Sequence, residues 1–312
     1  MTTRETGPGA PDVLRYTAFS SDPDGGNPAG VVLDASGLDD ARMLAVAAEV
    51  GYSETAFLTP PPPGRDGGPD AAPGRGFTVR YFSPAAEVPF CGHATVAAAV
   101  ALAERIGPGD LVFATPAGTV PVTVAEDGGV LRATLTSVEP YVAEIGEDDL
   151  AEALAALGWH AGELDRELPA RIAYAGARHL VLAAATRERL AALDYDFERL
   201  RALMLRLDLT TLQLVWRERE PGGEAGTGTE TGPGTVFHVR DPFPVGGVVE
   251  DPATGAAAAA FGGYLRALGL ITAPAVLTLH QGHDMGRPGL LEVELREDDP
   301  RVRVSGAAAR IG

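Results

Sequence analysis

The sequence predicts an α+β fold of two similar, pseudo-symmetric halves. Each half is expected to be a mainly antiparallel sheet wrapped around its own central buried helix, with the active site in the cleft between them. Three observations lead there. A strand–loop–strand–helix unit occurs twice, both of its helices are almost wholly apolar, and in each half a glycine-led apolar strand runs into an amphipathic helix. A helix apolar on every side must be buried, so each half needs a sheet that encloses one.

In the first half, Gly26-Asn-Pro-Ala-Gly-Val-Val-Leu33 leads into a helix over about 38–49. The strand Thr55–Leu58 follows, then the turn-rich stretch 59–76, which reads as an exposed loop remote from the chemistry. The strand Phe77–Arg80 runs through a proline-containing turn to Gly92-His-Ala-Thr95 and the apolar helix Val96–Ala103. The second half repeats the order. Gly176–Leu182 precedes a helix over about 186–206, the strand Leu212–Trp216, a second turn-rich loop at 219–234 and the strand Phe237–Arg240. Asp251-Pro-Ala-Thr-Gly255 then opens the apolar helix Ala256–Leu268. Such self-similarity marks a duplicated unit. The halves are placed at 12–126 and 127–302, with the tail 303–312 packing back onto the first.

Composition narrows the chemistry. A chain of 312 residues has room for two domains. Its N-terminal stretch has no apolar signal core, and the low-charge run 253–265 is too short to span a bilayer. One cysteine, Cys91, cannot close an internal disulfide, which points to a reducing cytoplasm. A formal charge of −18 argues against a nucleic-acid partner and suits solubility. All 25 basic residues are arginine. Schiff-base and pyridoxal-phosphate catalysis, and a Walker-type phosphate loop, each need a lysine and are excluded.

The two glycine-opened helix starts are either ordinary turns before core helices or cradles whose unpaired N–H groups hold a small acid. Glu54, just before a strand, is either a solvated surface charge or a single proton-transfer residue, since the matching place in the second half (Thr210-Thr211-Leu212) carries no acid. His280 and His283 have metal-ligand chemistry but lack a third distant partner. His160, His179 and His238 read as surface or strand residues without a role, and Arg287 as an ion-pair or cleft residue. Asp22-Pro-Asp24 reads as a turn.

Five motifs appear in order: Gly26-Asn27-Pro28-Ala29-Gly30; Ser53-Glu54-Thr55-Ala56-Phe57; Phe82-Ser-Pro84 with Glu87-Val-Pro-Phe-Cys-Gly-His-Ala-Thr95; Asp251-Pro-Ala-Thr-Gly255; and Gln281-Gly with Met285-Gly-Arg-Pro288. Together they resemble the signatures of the phenazine-biosynthesis PhzF-like family, which shares the diaminopimelate-epimerase fold. The resemblance implies a cytoplasmic, homodimeric isomerase of secondary or amino-acid metabolism that needs no metal or organic cofactor. It acts on a small acidic metabolite, and neither nucleic acid nor membrane is a partner. The resemblance makes Glu54 the proton shuttle, with His93 and Asp251 assisting. It places the substrate on Asn27, Ser53, Gly92, Thr95, Gly255 and Ala256, largely through backbone amides at the helix starts. At Ala256 the family often has serine, so a hydroxyl donor is absent here. Epimerases of this fold use two cysteines; Cys91 fills the first place and Pro252-Ala253 the second, which excludes a two-thiol racemase. Cys91 then reads as a small buried residue. A one-base epimerase and a catalytically silent small-acid-binding protein are the alternatives.

Overall fold

The computed structural model describes residues 11–61, 72–218 and 235–312. The expected loops at 59–76 and 219–234 therefore lie largely outside the described residues. The chain divides into two compact units. Among the described residues, the first holds those up to Pro23, Pro28–Ala133 and Ala307–Gly312; the second holds Asp24–Asn27 and Thr134–Gly306.

The first unit contains β1 (Leu14–Ala18), β2 (Asn27–Val32, from Pro28), α1 (Asp40–Val50), β3 (Thr55–Thr59), β4 (Gly76–Phe82), β5 (Glu87–Val88) and α2 (Gly92–Ile106). β6 (Gly109–Thr115), β7 (Gly118–Asp127) and β8 (Val130–Thr136, up to Ala133) follow. β2 runs parallel to β3, β3 antiparallel to β4, β4 parallel to β6 and β6 antiparallel to β7. α1 is amphipathic and lays Met43, Val46 and Ala47 on Val32, Phe57 and Phe82. Asp39 caps it by accepting the Arg42 N–H at 2.8 Å. α2 differs in kind. His93 through Ala103 are all buried, and the helix touches β1, β3 and β7. Its alanines remove bulk from every face, so strands pack against it on several sides.

The second unit contains β9 (Tyr141–Ala143), α3 (Glu147–Leu157), β10 (Arg171–Tyr174), β11 (Arg178–Ala183), α4 (Arg187–Ala191), α5 (Phe197–Leu207) and β12 (Thr211–Arg217). β13 (Val236–Pro242), β14 (Glu250–Asp251), α6 (Gly255–Ala267), β15 (Ala275–Gln281), β16 (Gly289–Leu295) and β17 (Val302–Arg310) complete it, although the last residues of β17 belong to the first unit. The strands pair in the order β9, β10, β11, β12, β13, β15, β16, β17. Buried α6 touches β9 to β12 and also β16, and Phe261 meets Phe237 edge-on at 4.9 Å. Leu154, Leu157, Leu200, Leu203 and Met204 of α3 and α5 pack with Leu180, Leu182, Leu212 and Leu214 in one cluster.

The architecture is mixed α/β with mainly antiparallel pairing, and one expectation needs correction. Parallel pairs among the described residues include β2–β3, β4–β6, β11–β12 and β13–β15. Each is bridged by one or two helices, because a helix returns the chain to the end where the first strand began. The helix expected over 186–206 is two. α4 ends at Ala191, and Asp196 caps a fresh start by accepting the Arg199 N–H at 3.0 Å. Among the described residues no helix is long and apolar enough to cross a membrane.

Candidate active site

At the start of α2 in the first unit, Cys91 is the N-cap in extended geometry, and no side chain caps the first turn. That turn also lacks an acidic residue, which leaves the positive end of the helix dipole without a carboxylate of its own. His93 faces back toward Cys91: Nδ1 lies 3.3 Å from Sγ. Glu54, just ahead of β3, brings Oε2 to 3.4 Å from His93 Nε2 and 3.6 Å from Cys91 Sγ. Ser53 Oγ is 3.3 Å from the same Nε2. The group is mostly enclosed, with side chains 8% exposed at His93 and 17% at Glu54. A carboxylate, an imidazole and a thiol thus share one small volume at a helix start. Such a set can remove a proton, carry it or return it.

Thr95 lies one turn inside the same helix start. It is fully buried, its hydroxyl donates to the Cys91 carbonyl at 2.6 Å, and the same oxygen lies 2.6 Å from Tyr81 Oη. Its work is to brace the cap. Gly92 differs, being partly exposed; a Cβ built on it meets nothing within 4 Å.

In the second unit a polar network surrounds Asp251 before α6. Asn27 Nδ2 donates to Asp251 Oδ1 at 2.8 Å and to the Ala253 carbonyl at 3.0 Å. Both hydrogens of that nitrogen are engaged within the protein, which ties Asn27 to the Asp251 carboxylate. The Thr254 hydroxyl donates to Asp251 Oδ2. Gln281 fastens the turn: Nε2 donates to the Asp251 carbonyl at 2.9 Å, and Oε1 accepts the Thr254 N–H at 2.9 Å. Gly282 is required beside it. Its φ is +77°, and a Cβ there would stand 2.2 Å from the Arg287 carbonyl oxygen and 2.7 Å from that of Pro252. Gly255 is buried at the helix start, and Ala256 beside it is partly exposed.

One residue of this network, Asp241, escapes a reading of the sequence. Asp241 is fully buried, pairs across the strands with Asp251, and accepts from Gln281 at 3.0 Å. Burial, with Asp251 and Glu250 close by, pushes its carboxyl well above the ordinary range. Arg287 donates to the carbonyls of Gly26 at 2.9 Å and Gly25 at 2.6 Å. It thereby fixes the segment that carries Asn27.

His280 lies among two other imidazoles. His238, opposite it on parallel β13, lies with its ring centroid 5.1 Å away, and His283 lies 5.3 Å away. Burial and the neighbouring imidazoles lower both His280 and His283. His179 is fully buried and 2.8 Å from the Thr211 hydroxyl, so it is a core residue rather than a surface one.

A hollow of about 490 Å³ in the first unit lies elsewhere, beside Val100, Ala103 and Glu104. At 1.5 Å per residue, Glu104 stands about 18 Å along the helix from Gly92. The chemistry is therefore assigned by its side chains and not by the size of this hollow.

The family model of phenazine biosynthesis-like proteins matches residues 16–311. The chain belongs to that family. An isomerase from Pseudomonas fluorescens, trans-2,3-dihydro-3-hydroxyanthranilate isomerase, is 32% identical, with 95% of each chain covered. An uncharacterized isomerase of Escherichia coli K12 is 30% identical over 96% of this chain and 95% of its own. Among solved structures, a PhzF-family protein of Bacillus anthracis superimposes with a TM-score of 0.80 at 23% identity, covering 96% of each chain. A predicted epimerase from Pseudomonas aeruginosa gives 0.77 at 26%, covering 97% and 98%. A probable proline racemase from Agrobacterium radiobacter shares the fold at 0.58 and 14%, covering 95% and 89%. The chain is an isomerase of the phenazine biosynthesis-like family.

Proposed function

We propose that the chain moves a proton, and through it a double bond, on a small carboxylate-bearing metabolite without a cofactor, using Glu54 as the single acid and base. The observation that carries the reading is the approach of Glu54 Oε2 to His93 Nε2, at 3.4 Å, at the uncapped start of α2. The substrate carboxylate takes the backbone amides at Gly92 and His93 and the positive helix end. Glu54 removes a proton from a carbon conjugated with that carboxylate, and the electron pair moves into the carboxylate. Donors pre-set at the helix start stabilise the charge that develops there. Glu54 returns the proton at another carbon, and His93 partners its carboxyl between the two steps.

The two units enter this reading as pseudo-symmetric halves, each a sheet around its own buried helix. The support is a repeated order in which two helix-bridged parallel pairs occur per unit, the second bridged by α2 or α6. Asp251, braced by Asn27 and Thr254, offers a fixed carboxylate at the start of α6 in the second unit.

The test is deuterium uptake from heavy water into a panel of small unsaturated and amino acids, with trans-2,3-dihydro-3-hydroxyanthranilate among them. Glu54→Gln should bind a substrate about as well as the parent and lose roughly 10²–10⁴ in exchange rate, the usual worth of a general acid–base group. Comparable exchange in Glu54→Gln ends the single-base mechanism. Asp251→Asn should slow the same reaction; an unaltered rate removes the second unit from the chemistry. Exchange with inversion at one carbon and no shift of a double bond would select the one-base epimerase. Tight binding with no exchange would select the silent binder.

A further inference from the structure

We propose that Glu54, Cys91 and His93 form a three-ligand site for a thiophilic divalent cation, zinc above all, and that its occupation switches the isomerase off. A cation on a tetrahedral site takes nitrogen and oxygen at about 2.0–2.2 Å and sulfur at about 2.3 Å. Those radii set the edges between ligand atoms: about 3.4 Å for nitrogen to oxygen and about 3.5–3.6 Å for either to sulfur. The three atoms here form such a face. His93 Nε2 to Glu54 Oε2 is 3.4 Å, Glu54 Oε2 to Cys91 Sγ is 3.6 Å, and Cys91 Sγ to His93 Nε2 is 3.8 Å. Among the described residues this is the group of such side chains whose ligand atoms all lie within 4.8 Å of one another.

The scaffold holds the face in advance. Cys91 and His93 stand two residues apart on the rigid start of α2, and β3, which follows Glu54, packs on that helix. A cation entering here gives up little protein order, and His93 exchanges its contact with Ser53 for it. A thiolate, an imidazole and one carboxylate suit zinc or cobalt. Magnesium and calcium prefer six or more oxygens, which the site does not offer. The chain's charge of −18 raises the local concentration of cations of either kind, so selectivity has to come from these ligands.

Occupation takes the lone pairs of the Glu54 carboxylate and His93 Nε2, the groups that would otherwise carry the proton. This silencing rests on the proton-transfer reading above; the metal site itself does not. Cys91, which a single-base reaction leaves unused, gains a part as the ligand that makes the site selective.

The purified, metal-stripped chain is titrated with cobalt(II), and absorption from thiolate-to-cobalt charge transfer is followed; zinc is then added against a chromophoric chelator. Expected are one thiolate-bound cobalt per chain and its displacement by zinc, with no displacement by magnesium. Cys91→Ser should lose the thiolate absorption. Cys91→Ser and Glu54→Gln should each weaken zinc binding by at least about tenfold. His280→Ala, in the other imidazole cluster, should keep the absorption. Absence of the band in the parent chain, or unchanged zinc affinity in both variants, overturns the site whatever the fate of the isomerase reading. Once an exchanging acid is in hand, zinc should stop its exchange and a chelator restore it. Full exchange at saturating zinc overturns the silencing.

Discussion

At the scale of single residues, Gly92 is the position where protein and ligand requirements separate most cleanly. A methyl group there meets no protein atom within 4 Å. Alanine is also the better helix former, by up to about 1 kcal/mol in a helix interior. Gly92→Ala should therefore melt no lower than the parent. The methyl would occupy the space a carboxylate needs above the helix start, so binding of a substrate should weaken at least about tenfold. Thermal melting and calorimetric titration check the two halves of this expectation; unchanged binding would move the carboxylate elsewhere. Cys91 and His93 could be read together because they are neighbours in sequence, and a short spacing carries its own geometry. Asp241 could not. Its burial and its place opposite Asp251 depend on the register of β13 against β14, which no spacing along the chain encodes.

At the scale of elements, α2 is where apolar composition became position. Eight of its eleven successive buried residues, Val96–Ala103, were visible as an unbroken apolar run, whereas an exposed helix would have shown a polar stripe. The parallel pairs were hidden because residue alternation reports burial and not direction. Their sense follows from the helices between them. The same close packing makes α2 intolerant of added volume. Ala98, fully buried in mid-helix, replaced by leucine should cost about 1–3 kcal/mol in urea unfolding, the usual penalty for overpacking. A cost below about half a kilocalorie would mean that the enclosure is looser than described.

At the scale of the whole molecule, two buried groups of opposite sense shape stability against pH. His179 is pushed down from 6.5 to about 3 by burial, so the unfolded chain takes up a proton that the fold refuses. Its contribution is present above the unfolded value and lost as pH falls through about 6.5 toward 3. Asp241 acts the other way. Its carboxyl is held protonated above the ordinary range, so stability falls as pH rises from about 4 toward its folded value. Each proton is worth at most about 1.4 kcal/mol per pH unit. Asp241→Asn should flatten the decline on the alkaline side, and His179→Gln the decline on the acid side. Urea midpoints measured from about pH 5 to 8 check both; an unaltered slope in either variant would deny that group its part.

The pairing of β1 with the end of β17 carries a consequence for how the protein is made. Tyr16 lies opposite Arg310, and Phe19 donates its N–H to the Ala307 carbonyl at 2.7 Å. On a ribosome, the strand that flanks the first unit therefore emerges almost three hundred residues after the strand it covers. Domains otherwise tend to fold in the order of their synthesis. Here the first unit cannot finish before the second has been translated. Until then β1 shows an unpaired edge, the kind that recruits other chains. Completion is post-translational for this unit, and the long wait falls on the half that carries Glu54, Cys91 and His93.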